Sequence, residues 1–353
     1  MVELTLGNLL EAQADALVNT VNCVGVMGKG VALQFKQAFP ENFQQYERAC
    51  RHGEVKPGQM FIVERLVRPR FIINFPTKRH WKGKARLADI ESGLRALVED
   101  VKRLRIGVIA VPPLGCGNGG LEWADVRPRI EAAFARVPEV RVLLFEPFGA
   151  PQPDEMRVAT DRPGLTRARA LLLELLAAYA APGYKASLLE LQKLAYLLQA
   201  AGEQLKLKFT KHIRGPYAEP LNQVLQRLEG HYIRGYGDRS GHAGIYLLPG
   251  AVESAAERLS DEPGTADLIA RVSRVIEGFE TPYGMELLAT VHWVAMEFPD
   301  VAEDPEAAIR RVKEWSARKR VAFRDEHIRK AWRRLHGQGW LSNLDALRAA
   351  FTA

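Results

Sequence analysis

Cysteine is scarce in this chain: Cys23, Cys50 and Cys116 are the only thiols among 353 residues. Three scattered cysteines are too few for a disulfide framework or a four-ligand zinc site, so the sequence reads as that of a protein from a reducing compartment with no structural metal. Long apolar runs are missing as well. The greasiest stretch, ALLLELLAAYAA, is short and interrupted by Glu174, while MVELTLGNLL has neither the basic leader nor the apolar core of a signal peptide. A cytoplasmic protein is expected. No internal repeat of fixed period occurs, which leaves a solenoid unsupported.

What is present is a globular balance of 47% apolar and 26% charged residues, enough to bury cores and too apolar for a disordered chain. The length implies two domains. An excess of 49 Lys and Arg over 42 Asp and Glu leaves +7, with 21 basic against 16 acidic residues in positions 1–150. This sign suits a polyanionic partner.

Strand-like runs (VELTLGN, ADALVNTVN, QMFIVERL, RFIINFP, IGVIAVPPL, VRVLLFEP) alternate with helical periodicity in KGVALQFKQAFPENFQQYERAC, ARLADIESGLRALVEDVKRL and LEWADVRPRIEAAFARV. That alternation predicts an α/β domain with a mixed, largely parallel sheet flanked by helices on both faces. A stretch holding Pro147, Pro151, Pro153 and Pro163 then reads as a linker. Beyond it, apolar residues three and four apart predict a mainly α-helical domain with few strands. The boundary is placed at residue 155, giving domains 1–155 and 156–353.

Two glycine-rich loops follow strands and open helices: GVMGKGVA, from Gly25 to Ala32, and PPLGCGNGGLEW, from Pro112 to Trp123. Glycine admits close backbone approach, and amides at a helix start favour a phosphate, so the pair could grip a diphosphate from both sides. Each loop is otherwise a tight turn. Gly115, Gly117 and Gly120 satisfy GxGxxG, but they follow the fifth strand run and lack the ribose-binding acid of a dinucleotide fold. Gly28-Lys29-Gly30 lacks the spacing and hydroxyl of a P-loop. Dehydrogenase and P-loop NTPase are therefore rejected.

The order GNLLEAQADALVNTVNCVGVMGKGVALQFK, NFPTKRHW, PPLGCGNGGLEW and VLLFEP strongly resembles the macrodomain family, the ADP-ribose-binding fold, over nearly the whole first half. The TK after the middle strand and the LGCG loop are similar to the subfamily of terminal ADP-ribose glycohydrolases and bacterial DarG antitoxins. SLLELQKLAYLLQ with FTKHIRGPYAEPLNQVL resembles the SocA-like (Panacea) toxin-neutralising domain, which favours the DarG branch.

The resemblance implies a binding site for ADP-ribose. Asn8 and Leu9 would read the adenine, with an amide where the family usually has Asp. Asn22 would contact the distal ribose, its alternative being a turn amide bonding its own backbone. Met27, Gly28, Gly30, Val31 and Ala32 would pass beneath the diphosphate, with Thr77 beside them. Leu114, Gly115, Cys116, Gly117, Asn118 and Gly119 would close the other side, mainly through backbone amides. Phe145 and Pro147 would flank the adenine.

By the same resemblance Lys78 is catalytic, acting at the anomeric carbon C1″ of the distal ribose either as a Schiff-base nucleophile or as a charge stabilising the departing base. A lysine near its ordinary pKa of ~10.4 is mostly protonated, so nucleophilic action needs desolvation or a neighbouring cation such as Lys29, Arg79, Lys82 or Lys84. One departure stands out: Gly119 occupies the position of the partner aspartate in the terminal glycohydrolases. The nearest acids, Glu122 and Asp125, read as helix-start or surface residues. No cofactor or metal is implied.

The implied substrate is ADP-ribose on a base of single-stranded DNA, thymidine before guanosine, placed there by a DarT-like DNA ADP-ribosyltransferase toxin. Arg79, Trp81 and Lys82 are the expected DNA contacts, with Trp81 as a stacking platform. Residues 156–353 would bind the toxin. With 28 basic and 26 acidic residues over 151–353, any acidic mimicry of DNA there would be local, near Asp300, Glu303, Asp304 and Glu306. His212 and His292 lie singly and read as packing residues. Two other functions remain open from the residues: a reader that binds ADP-ribose without turnover, and a purely binding antitoxin.

Overall fold

The computed structural model describes residues 1–149, 156–181, 183–237, 244–342, 344, 347–348 and 351. It divides into two compact units, one built on Met1–Arg162 and the other on residues from Pro163 onward. The boundary expected at residue 155, with Pro151 and Pro153, lies outside the described residues.

In the first unit the strands β1 (Val2–Thr5), β2 (Ala16–Val21), β3 (Phe61–Glu64), β4 (Phe71–Pro76), β5 (Val108–Val111) and β6 (Arg141–Phe145) form one sheet. Their order is β1-β6-β5-β2-β4-β3. Every neighbouring pair is parallel except β3 with β4. Central β2 and β4 are buried almost throughout, the signature of strands covered on both faces. Alternation along β2 divides the core: Ala16 and Val18 pack with Leu94, Leu97, Ile130 and Phe134 on one face, while Leu17 packs with Phe35 and Phe39 on the other.

Those covering residues come from α1 (Gly30–Ala38), α2 (Pro40–Arg51), α3 (Leu87–Arg103) and α4 (Trp123–Phe134). The segment 29–50, expected as one helical stretch, is two helices. Pro40 opens α2 and holds Phe39 at φ −135°, ψ 69°, because a residue before proline is pushed out of the helical region.

The second unit gathers α5 (Arg167–Tyr179), α6 (Leu188–Ala200), α7 (Glu219–Leu228), α8 (Ala251–Leu259), α9 (Thr265–Ile276), α10 (Pro282–Glu297), α11 (Asp300–Glu303), α12 (Pro305–Glu314), α13 (Ala317–Ala322) and α14 (Asp325–Gly337) around one apolar core. Its start signals were legible: Ser187 and Glu190 form a capping box at α6. The motif TKHIRGPY is a hairpin: β7 (Thr210–His212) and β8 (Gly215–Tyr217) are joined by the turn at Ile213 and Arg214, after which Gly215 lies in the left-handed region, φ +86°. His292 is fully buried, with Nδ1 2.8 Å from the Tyr196 hydroxyl. Burial pushes its imidazole down to about 4, consistent with a packing residue. No described helix is long and apolar enough to cross a membrane.

Candidate active site

Because β1, β6, β5, β2 and β4 run in one direction, the segments after them emerge along one edge of the sheet. Residues 6–11, 22–29, 77–86, 112–122 and 146–149 meet there. This carboxyl edge is where open parallel sheets bind ligands. Strand direction thus collects nearly every expected site residue, although they are spread over 140 positions of chain.

Lys78 follows β4, the last of the five parallel strands in the sheet order. Thr77, buried, continues β4 by donating its amide to Val21 O at 2.9 Å, and Lys78 follows half-buried. Its Nζ donates to the carbonyl of Asn118 at 3.0 Å and to that of Trp81 at 3.2 Å. The lysine therefore joins the segment after β4 to the glycine loop after β5. Two carbonyl acceptors set the rotation of the amine about Cε–Nζ, so its position belongs to the backbone of both loops. Cys23 supports the same segment, its amide donating to Arg79 O at 3.3 Å and its thiol to Lys78 O at 3.4 Å. Burial pushes that thiol up to about 11, which keeps it protonated.

The loop after β5 is held by its own backbone. Gly120 donates to Gly117 O at 2.9 Å, Leu121 to Gly115 O at 3.2 Å, and Gly119 O accepts from Ala85 N at 2.9 Å. Leu114 and Cys116 point into the core, whereas Gly117 and Asn118 are exposed. A Cβ on Gly119 would stand 2.0 Å from Gly115 O, so this path admits no side chain there. The missing partner aspartate is thus matched by the shape of the loop. Glu122 and Asp125 are exposed at the start of α4.

On the opposite side Met27 is buried beside Val21 and Tyr46. Gly28, Val31 and Ala32 are half-buried, and Gly30 begins α1 at φ +59°. The helix opens without a side-chain cap. Asn22 takes its bland alternative: Oδ1 accepts from Val24 N at 3.0 Å, Nδ2 donates to Val26 O, and its carbonyl accepts from the buried Tyr46 hydroxyl at 2.7 Å. Its side chain shapes the loop on which the glycines sit.

At the far end Asn8 caps the short turn Leu9–Glu11 (a 3-10 helix), with Oδ1 accepting from Leu10 N at 3.0 Å. Its Nδ2 is buried and without a partner. The amide that stands where the family usually has Asp thus brings a donor that a carboxylate lacks. Leu9 is core. Phe145 requires a correction as well: it is 6% exposed and packs with Leu9, Leu17 and Phe35, so its ring belongs to the interior. Pro147 is exposed.

The aromatic on the surface here is Phe148, 58% exposed. It is adjacent to Gly149, whose carbonyl accepts from Gly7 N at 3.1 Å. Sequence reasoning passed over Phe148 because it lies beyond the strand run, although two aromatics three apart around Pro147 were a signal that one of them lies outside the core. Phe148→Ala is expected to weaken ADP-ribose binding roughly tenfold, an aromatic stacking contact being worth about 1–3 kcal/mol. Phe145→Ala should instead lower folding stability by about 3–5 kcal/mol. Calorimetric titration and urea denaturation of both variants check this; a Phe148 variant with unchanged affinity overturns it.

Of the expected DNA contacts, Arg79 is tied to Asp89 at 2.9 Å. Trp81 is 39% exposed, its ring 5.6 Å from that of His80 and 4.8 Å from Lys82 Nζ. Lys84 is exposed further along the same turn.

The Macro domain family model matches residues 18–130. A Thermus aquaticus protein named DNA ADP-ribosyl glycohydrolase is 49% identical over 94% of this chain and 92% of its own length. A Thermosipho africanus protein named DNA ADP-ribosyl transferase-DNA ADP-ribosyl glycohydrolase fusion protein is 35% identical over 43% of this chain and 44% of its own length. The solved macrodomain of Mycobacterium tuberculosis DarG is 52% identical, covering 42% of this chain and 99% of that chain with a TM-score of 0.41. With identity of this degree over nearly the whole of both chains, the chain belongs to the DarG family of DNA ADP-ribosyl glycohydrolases.

Proposed function

We propose that this protein is the antitoxin of a toxin–antitoxin pair and that it removes ADP-ribose from a base in single-stranded DNA, thymidine in preference to guanosine. Residues 1–155 bind the ADP-ribose and carry the hydrolysis. Residues 156–353 bind a DarT-like DNA ADP-ribosyltransferase. The observation that carries the catalytic part is the Lys78 amine, bonded to the Asn118 carbonyl of the second glycine loop and to the Trp81 carbonyl of the turn after β4.

In this reading the backbone amides of Gly28, Val31 and Ala32 and of Gly115, Gly117, Asn118 and Gly119 cradle the diphosphate, those of Gly30 and Cys116 being bonded to Gly237 O and Pro113 O, Asn8 and Phe148 hold the adenine, and the distal ribose lies against Lys78. The bond that breaks joins C1″ to the base nitrogen. The departing base takes up a proton, and water supplies the oxygen that remains on C1″. Lys78 acts at C1″, either by forming a transient C1″–Nζ bond that water later cleaves or by stabilising the charge that develops as the base leaves. A transferase partner draws support from the fusion relative, whose printed name joins both activities in one polypeptide. Among the described residues no group of metal-ligating side chains points to separate chemistry in the helical unit.

Incubation with single-stranded oligonucleotides carrying ADP-ribose on thymidine or on guanosine tests this function. The expected result is free ADP-ribose and an oligonucleotide of unmodified mass, with thymidine the faster substrate. Binding of ADP-ribose without any release of the base would overturn the enzymatic reading.

A further inference from the structure

We infer that Trp81 makes turnover depend on the DNA strand around the modified base, because this one residue turns its indole to solvent and holds the reactive amine with its main-chain carbonyl. The inference rests on the function proposed above and adds to it a determinant of substrate class: a strand rather than an isolated nucleoside.

The segment after β4 is anchored at both ends. Before the turn, Thr77 N bonds Val21 O at 2.9 Å, Arg79 O accepts from Cys23 N at 3.3 Å, and the Arg79 guanidinium pairs with Asp89. After it, Ala85 N bonds Gly119 O at 2.9 Å. Between these anchors residues 80–84 are all exposed. They keep a defined shape: Gly83 N donates to His80 O at 3.0 Å, and Lys82 N to His80 Nδ1 at 3.2 Å. The turn presents the His80 and Trp81 rings, inclined by 29°, with the Lys82 amine over the indole at 4.8 Å from its centre. Aromatic faces with adjacent cations are the composition that binds single-stranded nucleic acid, bases stacking while the cation meets the backbone phosphate.

The same turn supports the chemistry. Trp81 O accepts from Lys78 Nζ at 3.2 Å, and an indole is separated from its own carbonyl only by Cβ and Cα. Whatever fixes the ring therefore fixes a carbonyl acceptor that orients the amine. A base stacked on Trp81 adds to the hold on the exposed turn, and the more firmly held turn keeps Lys78 in line with C1″. An ADP-ribosylated nucleoside with no neighbouring base fills the diphosphate cradle but leaves the turn unsupported. Trp81 is in this sense a positioning and specificity residue, acting through Lys78.

The test compares ADP-ribosylated thymidine as a nucleoside and within a single-stranded oligonucleotide of about ten nucleotides. For the parent protein kcat/KM should favour the oligonucleotide by roughly 10–100-fold, the scale of one stacked base. In Trp81→Ala that preference should fall to within about threefold, with kcat lowered and KM raised on the oligonucleotide, while the affinity for free ADP-ribose stays the same. Trp81→Phe should restore most of the preference, which a merely structural loss would not do. Equal kcat/KM for both substrates in the parent overturns the inference. So does a preference that survives Trp81→Ala, or a change confined to KM. A parent protein that releases ADP-ribose from neither substrate overturns the proposed function itself, and the coupling with it.

Discussion

Lys78→Ala should lose roughly 10²–10⁴-fold in the rate of ADP-ribose release from single-stranded DNA and keep its affinity for free ADP-ribose within about threefold. The magnitude is that of removing one nucleophile or one charge placed at a developing transition state, about 3–5 kcal/mol of barrier. Binding should survive because the expected diphosphate contacts are the backbone amides of Gly28, Val31, Ala32, Gly115, Gly117, Asn118 and Gly119, which a side-chain truncation at 78 leaves in place. Lys78→Arg separates the two modes of action. A guanidinium keeps the charge but cannot form an imine with C1″, so substantial activity in this variant favours the electrostatic mode. Inactivity together with borohydride trapping of an ADP-ribose adduct on the parent lysine favours the nucleophilic one. A Lys78→Ala protein with parental turnover would remove the lysine from the mechanism.

Installing the acid that related glycohydrolases carry should fail. Gly119→Asp is expected to lower ADP-ribose affinity about 10–100-fold and turnover at least as much, with no compensating gain from the new carboxylate. The cause is steric: a Cβ at 119 meets Gly115 O at 2.0 Å, a backbone atom that cannot rotate away, and relieving such overpacking costs about 1–3 kcal/mol. Any displacement of Gly119 also pulls on Ala85 N, bonded to its carbonyl at 2.9 Å, and on neighbouring Asn118, whose carbonyl holds Lys78. Gly119→Ala should show most of the loss, which isolates shape from charge. Titration with ADP-ribose and the oligonucleotide assay on both variants check the prediction, and enhanced turnover in Gly119→Asp would overturn it.

Both predictions start from features visible in the sequence, and the corrections show where that visibility stops. The six strand runs and the helices between them were legible because buried parallel strands are continuous apolar runs closed by Gly, Pro or Asn. The break between α1 and α2 was less so: apolar periodicity runs through Phe39, and only the restriction imposed by Pro40 divides it. Hairpin β7–β8 was missed since three-residue strands rich in Lys and His carry no apolar alternation.

Within the candidate site the division follows backbone against side chain. Glycine positions could be read because glycine marks where the chain comes close to something. Side-chain orientation could not. Phe145 and Phe148 are chemically identical, yet the first faces Leu9 and Phe35 while the second is exposed, a difference decided by the pleat of β6 and by where that strand ends. Asn22 and Asn8 are likewise equivalent as letters. Packing commits both amide atoms of one to its own loop and leaves Nδ2 of the other without a partner.

Residue type and local spacing alone determined the α/β order, the two glycine loops, the lysine after β4 and the absence of an acid at 119, because these depend on short-range pattern and on the conformational range of single residues. The tertiary structure alone decided that Lys78 is held by Asn118 and Trp81, residues 40 and 3 positions away, and that no side chain fits at 119. Such contacts join separate parts of the chain through the common direction of β2, β4 and β5, and no local preference encodes a distance between loops that meet only when the sheet has formed.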